Sequence, residues 1–129
     1  MVRKKIRVLV LDDEEERHKY FRSILRNEDA TFCYNFDEVL RSLTFEERYD
    51  IVMLDHDLGT GNSSAAEAVG LPHCTGYDVA KFIAFDLDKT KRPPRAILHT
   101  WNSIGATNME QVLRQAGIQV QRKPFRVNP

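Results

Sequence analysis

Asp50-Ile51-Val52-Met53-Leu54-Asp55 sets four apolar residues between two acids. A continuous apolar run of this length suits a strand covered on both faces, as at the centre of a parallel sheet. Lys5-Ile6-Arg7-Val8-Leu9-Val10-Leu11 has the same character and again ends in acid, at Asp12-Asp13. Further strand candidates are Thr31-Phe32-Cys33-Tyr34, Arg95-Ala96-Ile97-Leu98-His99-Thr100 and Ile118-Gln119-Val120-Gln121. Helical spacing fills the gaps. Tyr20, Phe21, Ile24 and Leu25 follow Glu14-Glu15-Glu16, whose charge favours a helix N-terminus. Val39, Leu40 and Leu43 follow the capping pair Asn35 and Glu38, and Val79, Ala80, Phe82 and Ile83 follow Thr75 and Asp78. Ala106, Met109, Val112, Leu113 and Ala116 form a last helix closed by Gly117. Strands alternating with helices through short connections predict an α/β fold, a parallel sheet with helices on both faces.

The chain has 129 residues, enough for one domain over 1–129. With 42% hydrophobic and 29% charged residues it has the composition of an ordinary soluble globule. No apolar run approaches the ~18 residues of a membrane span. Cys33 and Cys74 are far apart, which argues against a disulfide framework and for a reducing, cytoplasmic setting. The neutral total hides an asymmetry: residues 1–64 carry 10 basic and 14 acidic side chains, residues 65–129 carry 9 and 5. Lys89, Lys91, Arg92 and Arg95 precede the fourth strand and belong to one rim; Arg122, Lys123 and Arg126 belong to the other. That split argues against one continuous nucleic-acid groove.

In an open parallel sheet, ligands bind beyond the carboxyl ends of the strands. Asp12 and Asp13 follow the first strand, and Asp55, His56 and Asp57 the third. His99, Thr100 and Asn102 follow the fourth, and Lys123 the fifth. All these groups fall at one rim. Residues 59–74 lack a clear period, and loops this long are often functional.

The pattern Leu11-Asp12-Asp13-Glu14, Asp50 to Asp55, Thr100 and Lys123-Pro124-Phe125 resembles the receiver domain of bacterial response regulators. The resemblance implies a flavodoxin-like three-layer sandwich with five parallel strands in the order 2-1-3-4-5. It also implies an acidic pair for Mg²⁺ (Asp12, Asp13), a phosphoacceptor (Asp55), and phosphoryl contacts from Thr100 and Lys123. Only residues 126–129 follow Phe125, so the last helix of a receiver and an output domain are expected to be absent. His56-Asp57-Leu58, His99 ahead of Thr100, and the segment 59–74 depart from receivers. Leu54-Asp55-His56-Asp57-Leu58, His99-Thr100 with Asn102, and Gly105-Ala106-Thr107-Asn108-Met109 are instead similar to the cyclic-phosphate-processing receiver-like domains. That likeness implies a phosphoesterase acting on a cyclic phosphate of a nucleotide or an RNA end, in an RNA-repair setting with RNA-repair proteins as partners.

Opening a cyclic phosphodiester needs a base for water and an acid for the departing oxygen. Two imidazoles, with ordinary pKa near ~6.5, suit both roles. His56 and His99 are therefore expected to flank one phosphate, provided the backbone turns at the strand tips. Asp57 would orient an imidazole, and Lys123 would offset charge on the phosphorane. Thr100, Asn102 and Arg122 would bind substrate, helped by the N-terminus of the helix after Asn102. Asp12, Asp13 and Asp55 suit Mg²⁺ or Mn²⁺. Plainer readings stand beside these. Asp13 and Asn102 are also helix caps, His99 also a buried strand histidine, and His73-Cys74 an incidental pair. His18 reads as surface, and Trp101 either stacks a base or packs beneath its helix, the latter being favoured. The alternative function is a phospho-accepting receiver with Asp55 as acceptor.

Overall fold

The apolar runs become strands, and the spacing between them becomes helices. A computed structural model describes residues 4–58 and 74–125. Its elements are β1 (Arg7–Leu11), α1 (Glu15–Ile24), β2 (Asp29–Cys33), α2 (Phe36–Phe45), β3 (Ile51–Leu54), α3 (Gly76–Lys81), β4 (Arg95–Leu98), α4 (Ser103–Gln115) and β5 (Gln119–Arg122). The second strand begins two residues earlier than its apolar residues suggest, because Arg7 pairs with Asp29 in register and through a 3.3 Å ion pair. The expected caps form. Asn35 accepts from the Glu38 backbone at 2.9 Å, while Glu38 reaches back to the Tyr34 backbone. Thr75 and Asp78 make a reciprocal capping box. Gly117 adopts φ 85° beyond the end of α4, where a side chain would be strained.

All five strands are parallel, in the order β2-β1-β3-β4-β5. Alternation divides them between two faces. Leu9, Leu11, Val52, Leu54, Ala96, Leu98 and Val120 pack against α2, α3, the turn that follows α3, and α4 through Val39, Leu43, Val79, Ile83, Met109 and Leu113. Val8, Val10 and Met53 pack against α1 through Phe21, with Ile51, Ile97 and Phe125 partly covered beside them. This is a receiver architecture, and among the described residues no helix follows β5. The face covered by α1 carries an apolar groove of about 360 Å³, lined by Tyr20, Phe21, Ile24, Leu25, Met53, Ile97, His99, Lys123, Pro124 and Phe125.

α3 runs into a wider π turn over Phe82–Asp86. Arg92 satisfies the carbonyls that this turn and the end of α4 leave open, donating to Ile83, Ala84 and Ala116 at 3.3, 3.0 and 3.1 Å. One member of the basic tail is thus a structural clamp. His18 corrects another expectation: it is 0% exposed. Its ring lies 4.1 Å from that of Tyr34, and its Nε2 donates to the Asp12 carbonyl at 2.6 Å. A polar helix face hid it, because its neighbours come from β2 rather than from α1.

Candidate functional site

The strand ends bring Asp12, Asp13 and Asp55 together, with one oxygen of each within 4.8 Å of the others. Each has a different environment. Asp12 is fully buried: Oδ1 accepts from the Glu14 backbone at 2.9 Å, and Oδ2 accepts from His99 Nε2 at 2.9 Å and Arg17 Nη1 at 3.4 Å. Burial works to raise its pKa, but the His99 hydrogen bond, the Glu14 N–H and the charges of His99 and Arg17 hold it below the ordinary value. Asp55 goes the other way. Burial and the neighbouring Asp12 charge push it up to about 6, against the opposing pull of His99, Arg17 and the His56 N–H. Its Oδ1 accepts from the His56 backbone at 2.9 Å and its Oδ2 from Arg17 at 3.4 Å.

Arg17 is the site residue that the sequence did not reveal. It bridges Asp12 and Asp55, pairs with Glu14 at 3.4 Å, and lies with its guanidinium 5.5 Å from the Phe125 ring centre. Burial alone would lower its pKa, but Asp12, Asp55 and Glu14 together raise it. The available signal was spacing: a cation one helical turn beyond Asp13 lies over the strand end that α1 leaves.

A cleft of about 300 Å³ opens above these groups, lined by Asp13, Glu14, Arg17, Asp55, Asp57, Leu58, Thr100 and Trp101. Thr100 is where expected, buried at the cleft wall with its Oγ1 accepting from the Asn102 backbone at 3.1 Å. Neither imidazole lines the cleft. His99, 1% exposed, lies on the α1 face with its ring 5.0 Å from that of Phe21, and its Nε2 is committed to Asp12. Its buried Nδ1 has no hydrogen-bond partner among the described residues.

His56 lies on the opposite face of the sheet, against α4. A Cβ on Gly105 would come within 2.5 Å of its ring. The expectation that the two histidines flank one phosphate is therefore corrected. Leu54 is in register with Leu98, so the next pairs are Asp55 with His99 and His56 with Thr100, and the two rings point to different faces.

His56 is instead part of a local array. Its Nδ1 donates to Asp57 Oδ1 at 2.9 Å. Asn102 Nδ2 donates to the same carboxylate at 3.2 and 3.4 Å, while Asn102 Oδ1 caps α4 by accepting from Gly105 N at 2.8 Å. That cap fixes which way the amide faces, so capping and site roles coincide in one side chain. The His56 hydrogen bond, aided by Asn102, holds Asp57 below the ordinary carboxylate pKa despite slight desolvation. Gly76 sets the other side: a Cβ there would fall 1.9 Å from the Asp55 carbonyl oxygen. Only glycine lets α3 approach the end of β3 this closely.

Two expected contributors lie elsewhere. Arg122 is held by Glu110 at 2.7 Å and Thr107 at 2.9 Å on the outer side of α4, because its position on β5 faces that helix. Lys123 is exposed and borders the apolar groove on the α1 face, not the acidic cleft. Arg126 and His73 fall outside the described residues, and Cys74 is half-buried.

Asp12, Asp13 and Asp55 are a hard-oxygen donor set, and they fit Mg²⁺ or Mn²⁺ in chemistry and spacing. Burial first, and the Asp12 charge second, raise Asp55, and a divalent ion beside it would favour its charged form.

The fold is that of receiver domains. A CheY-like receiver domain protein from Methanospirillum hungatei superposes with a TM-score of 0.63 at 18% identity, over 98% of this chain and 86% of that one. The BeF3-activated DrrB receiver domain gives 0.62 at 19% identity, over 97% and 88%. A two-component response regulator from Clostridium difficile gives 0.63 at 14% identity, over 96% and 86%. Comparison with curated proteins finds no relative of similar sequence. The described residues contain no helix long and apolar enough to cross a membrane. A family model of the cyclic-phosphate processing receiver domain matches residues 7–115, from the start of β1 to the end of α4, and the chain belongs to that family.

Proposed function

We propose that the protein is a phosphoesterase that opens a cyclic phosphate on a nucleotide or an RNA end, in an RNA-repair setting. The observation that carries this reading is the His56–Asp57–Asn102 array beside a three-carboxylate cluster. An imidazole oriented by a carboxylate is an arrangement that hydrolases use for proton transfer.

Hydrolysis adds water across one P–O bond of the ring. The water loses a proton, the ribose oxygen gains one, and a phosphomonoester remains. With Nδ1 committed to Asp57, His56 exchanges its proton at Nε2 through one water between its ring and the cleft, which the ring itself does not line. Asp57 and Asn102 orient the ring, so Asn102 acts by positioning rather than by touching substrate. Thr100 and Arg17 line the cleft toward the phosphoryl oxygens, Thr100 in the role expected of it and Arg17 in place of Lys123 and Arg122. His99 holds Asp12 in place from the buried side. Asp12, Asp13 and Asp55 would hold Mg²⁺ or Mn²⁺, which when bound supplies Lewis acidity and offsets carboxylate charge. The cleft carries Asp13, Glu14, Asp55 and Asp57 against Arg17, so an anionic phosphate gains from such an ion before it can enter.

The test is a panel of 2′,3′- and 3′,5′-cyclic nucleotides and of RNA ends bearing a 2′,3′-cyclic phosphate, with Mg²⁺, with Mn²⁺ and with chelator. Metal-dependent opening of one of these, lost in His56→Ala, is expected. No turnover of any member under any of these conditions overturns the reading.

The second reading is a phospho-accepting receiver. It is favoured by the position of Asp55, at the end of β3 inside the acid cluster of a receiver fold. Against it, both Asp55 oxygens are engaged, by the His56 N–H and by Arg17, and Lys123 borders the apolar groove. A small phosphodonor with Mg²⁺ and intact mass decide: a stable adduct lost in Asp55→Asn would support this reading.

A further inference from the structure

Trp101 is the chain's single tryptophan, and it is 57% exposed at the wall of the acidic cleft. Sequence favoured a ring packed beneath the following helix, and the structure places it in the open instead. It is nevertheless anchored. Its indole Nε1 donates to the Phe125 carbonyl at 2.8 Å, and the Phe125 N–H donates in turn to the His99 carbonyl at 2.9 Å. The ring is thus tied to the end of β4 while more than half of the residue stays exposed. An exposed tryptophan leaves apolar area in water, so a fixed one beside a polar cleft is suited to a flat ligand.

We propose that Trp101 is the platform on which the base of the substrate stacks, so that the cleft takes a nucleoside cyclic phosphate rather than any cyclic phosphate ester. This rests on the phosphoesterase reading and assigns the residue that recognises the base of its substrate. The cleft has two chemically distinct parts. Arg17, Thr100 and the carboxylates form its polar floor, and Trp101 and Leu58 provide its apolar wall. A nucleotide is divided in the same way, with its anionic phosphate at one end and a flat base at the other. Every base has a π face, so stacking would select nucleosides with little preference among bases. Because the ring is already anchored, little ordering cost falls on binding.

The single tryptophan makes the test specific, since all indole emission comes from Trp101. Emission is followed while adenosine and 2′,3′-cyclic AMP are added in the presence of Mg²⁺ or Mn²⁺. Saturable quenching by both is expected. In parallel, KM is compared for 2′,3′-cyclic AMP, an oligoribonucleotide ending in the same cyclic phosphate, and the base-free methyl riboside 2′,3′-cyclic phosphate. Wild type should favour a base-bearing substrate over the base-free one by roughly 5- to 150-fold. That preference should collapse in Trp101→Ala and survive in Trp101→Phe, which keeps the ring but loses the indole N–H. Collapse with the mononucleotide alone identifies free nucleotides as the source, and collapse with the oligomer alone identifies RNA ends; either supports the platform. No quenching together with equal KM values overturns it while leaving the esterase reading intact. Saturable quenching without turnover of any ester supports the platform and overturns the esterase reading.

Discussion

A Cβ on Gly105 would stand 2.5 Å from Cδ2 and Cγ of His56. The missing side chain on the first turn of α4 is the seat of the imidazole. Gly105→Ala gains helix propensity, yet it must expel the ring or push α4 away. We expect the variant to fold with a melting temperature within a few degrees of wild type and to lose about 10²-fold in turnover, the scale of a ~1 Å misplacement. Turnover and thermal melting of the same preparation check this; unchanged turnover would show that the seat does not matter.

Gly76→Ala should behave differently. Its Cβ would meet the Asp55 carbonyl at 1.9 Å, and backbone cannot swing aside as a side chain can. The whole of α3 must shift, so a destabilisation of about 3 kcal/mol is expected by denaturant titration.

The two histidines separate stability from activity. His99→Ala leaves buried Asp12 without its main donor and opens a cavity under Phe21, which should cost about 2–4 kcal/mol. His56→Ala should leave stability nearly unchanged and lower turnover by ~10²–10⁴-fold. It should also remove one limb of the pH–rate profile. Full turnover in folded His56→Ala would exclude proton transfer at this ring.

Asp55 gives a pH signature. Its pKa in the folded chain is about 6, above the ordinary 3.8, so between those values the folded state holds a proton that the unfolded state has released. Its contribution therefore makes stability fall as pH rises from about 4 through 6, by about 2–3 kcal/mol, and then level off. Asp55→Asn removes this penalty. It should be more stable than wild type at pH 8 and no more stable at pH 4, as read from denaturant midpoints without divalent metal.

Metal binding should show the competition built into Arg17. Calorimetry with Mg²⁺ or Mn²⁺ should lose its signal in Asp13→Asn and keep it in Cys74→Ser. Arg17→Met, which removes the guanidinium from Asp12 and Asp55, should bind the ion more tightly than wild type. Weaker binding in Arg17→Met would mean that Arg17 supports the carboxylates rather than competing for them.

What the sequence determined by itself is what is local or periodic. The apolar runs before Asp12 and Asp55 specified buried parallel strands, and Asn35, Thr75 and Asn102 marked three helix starts. The acid cluster was legible because each carboxylate ends a strand, and parallel strands end at the same rim. Tertiary structure decided which face each rim residue serves. Alternation along a strand fixes His56 relative to Asp55 and His99 relative to Thr100, but it says nothing of β3 relative to β4. That depends on register, and a one-residue offset exchanges the two faces. With Leu54 opposite Leu98, His99 goes beneath Asp12 and His56 goes to Gly105. Packing from distant segments likewise buried His18 against Tyr34, set Arg17 between two aspartates and left Trp101 open at the cleft. Arg17 and Asp12 are near in sequence, but the pairs His18–Tyr34, Arg17–Asp55 and Trp101–Phe125 are each 16 or more residues apart, beyond the reach of helical or strand periodicity.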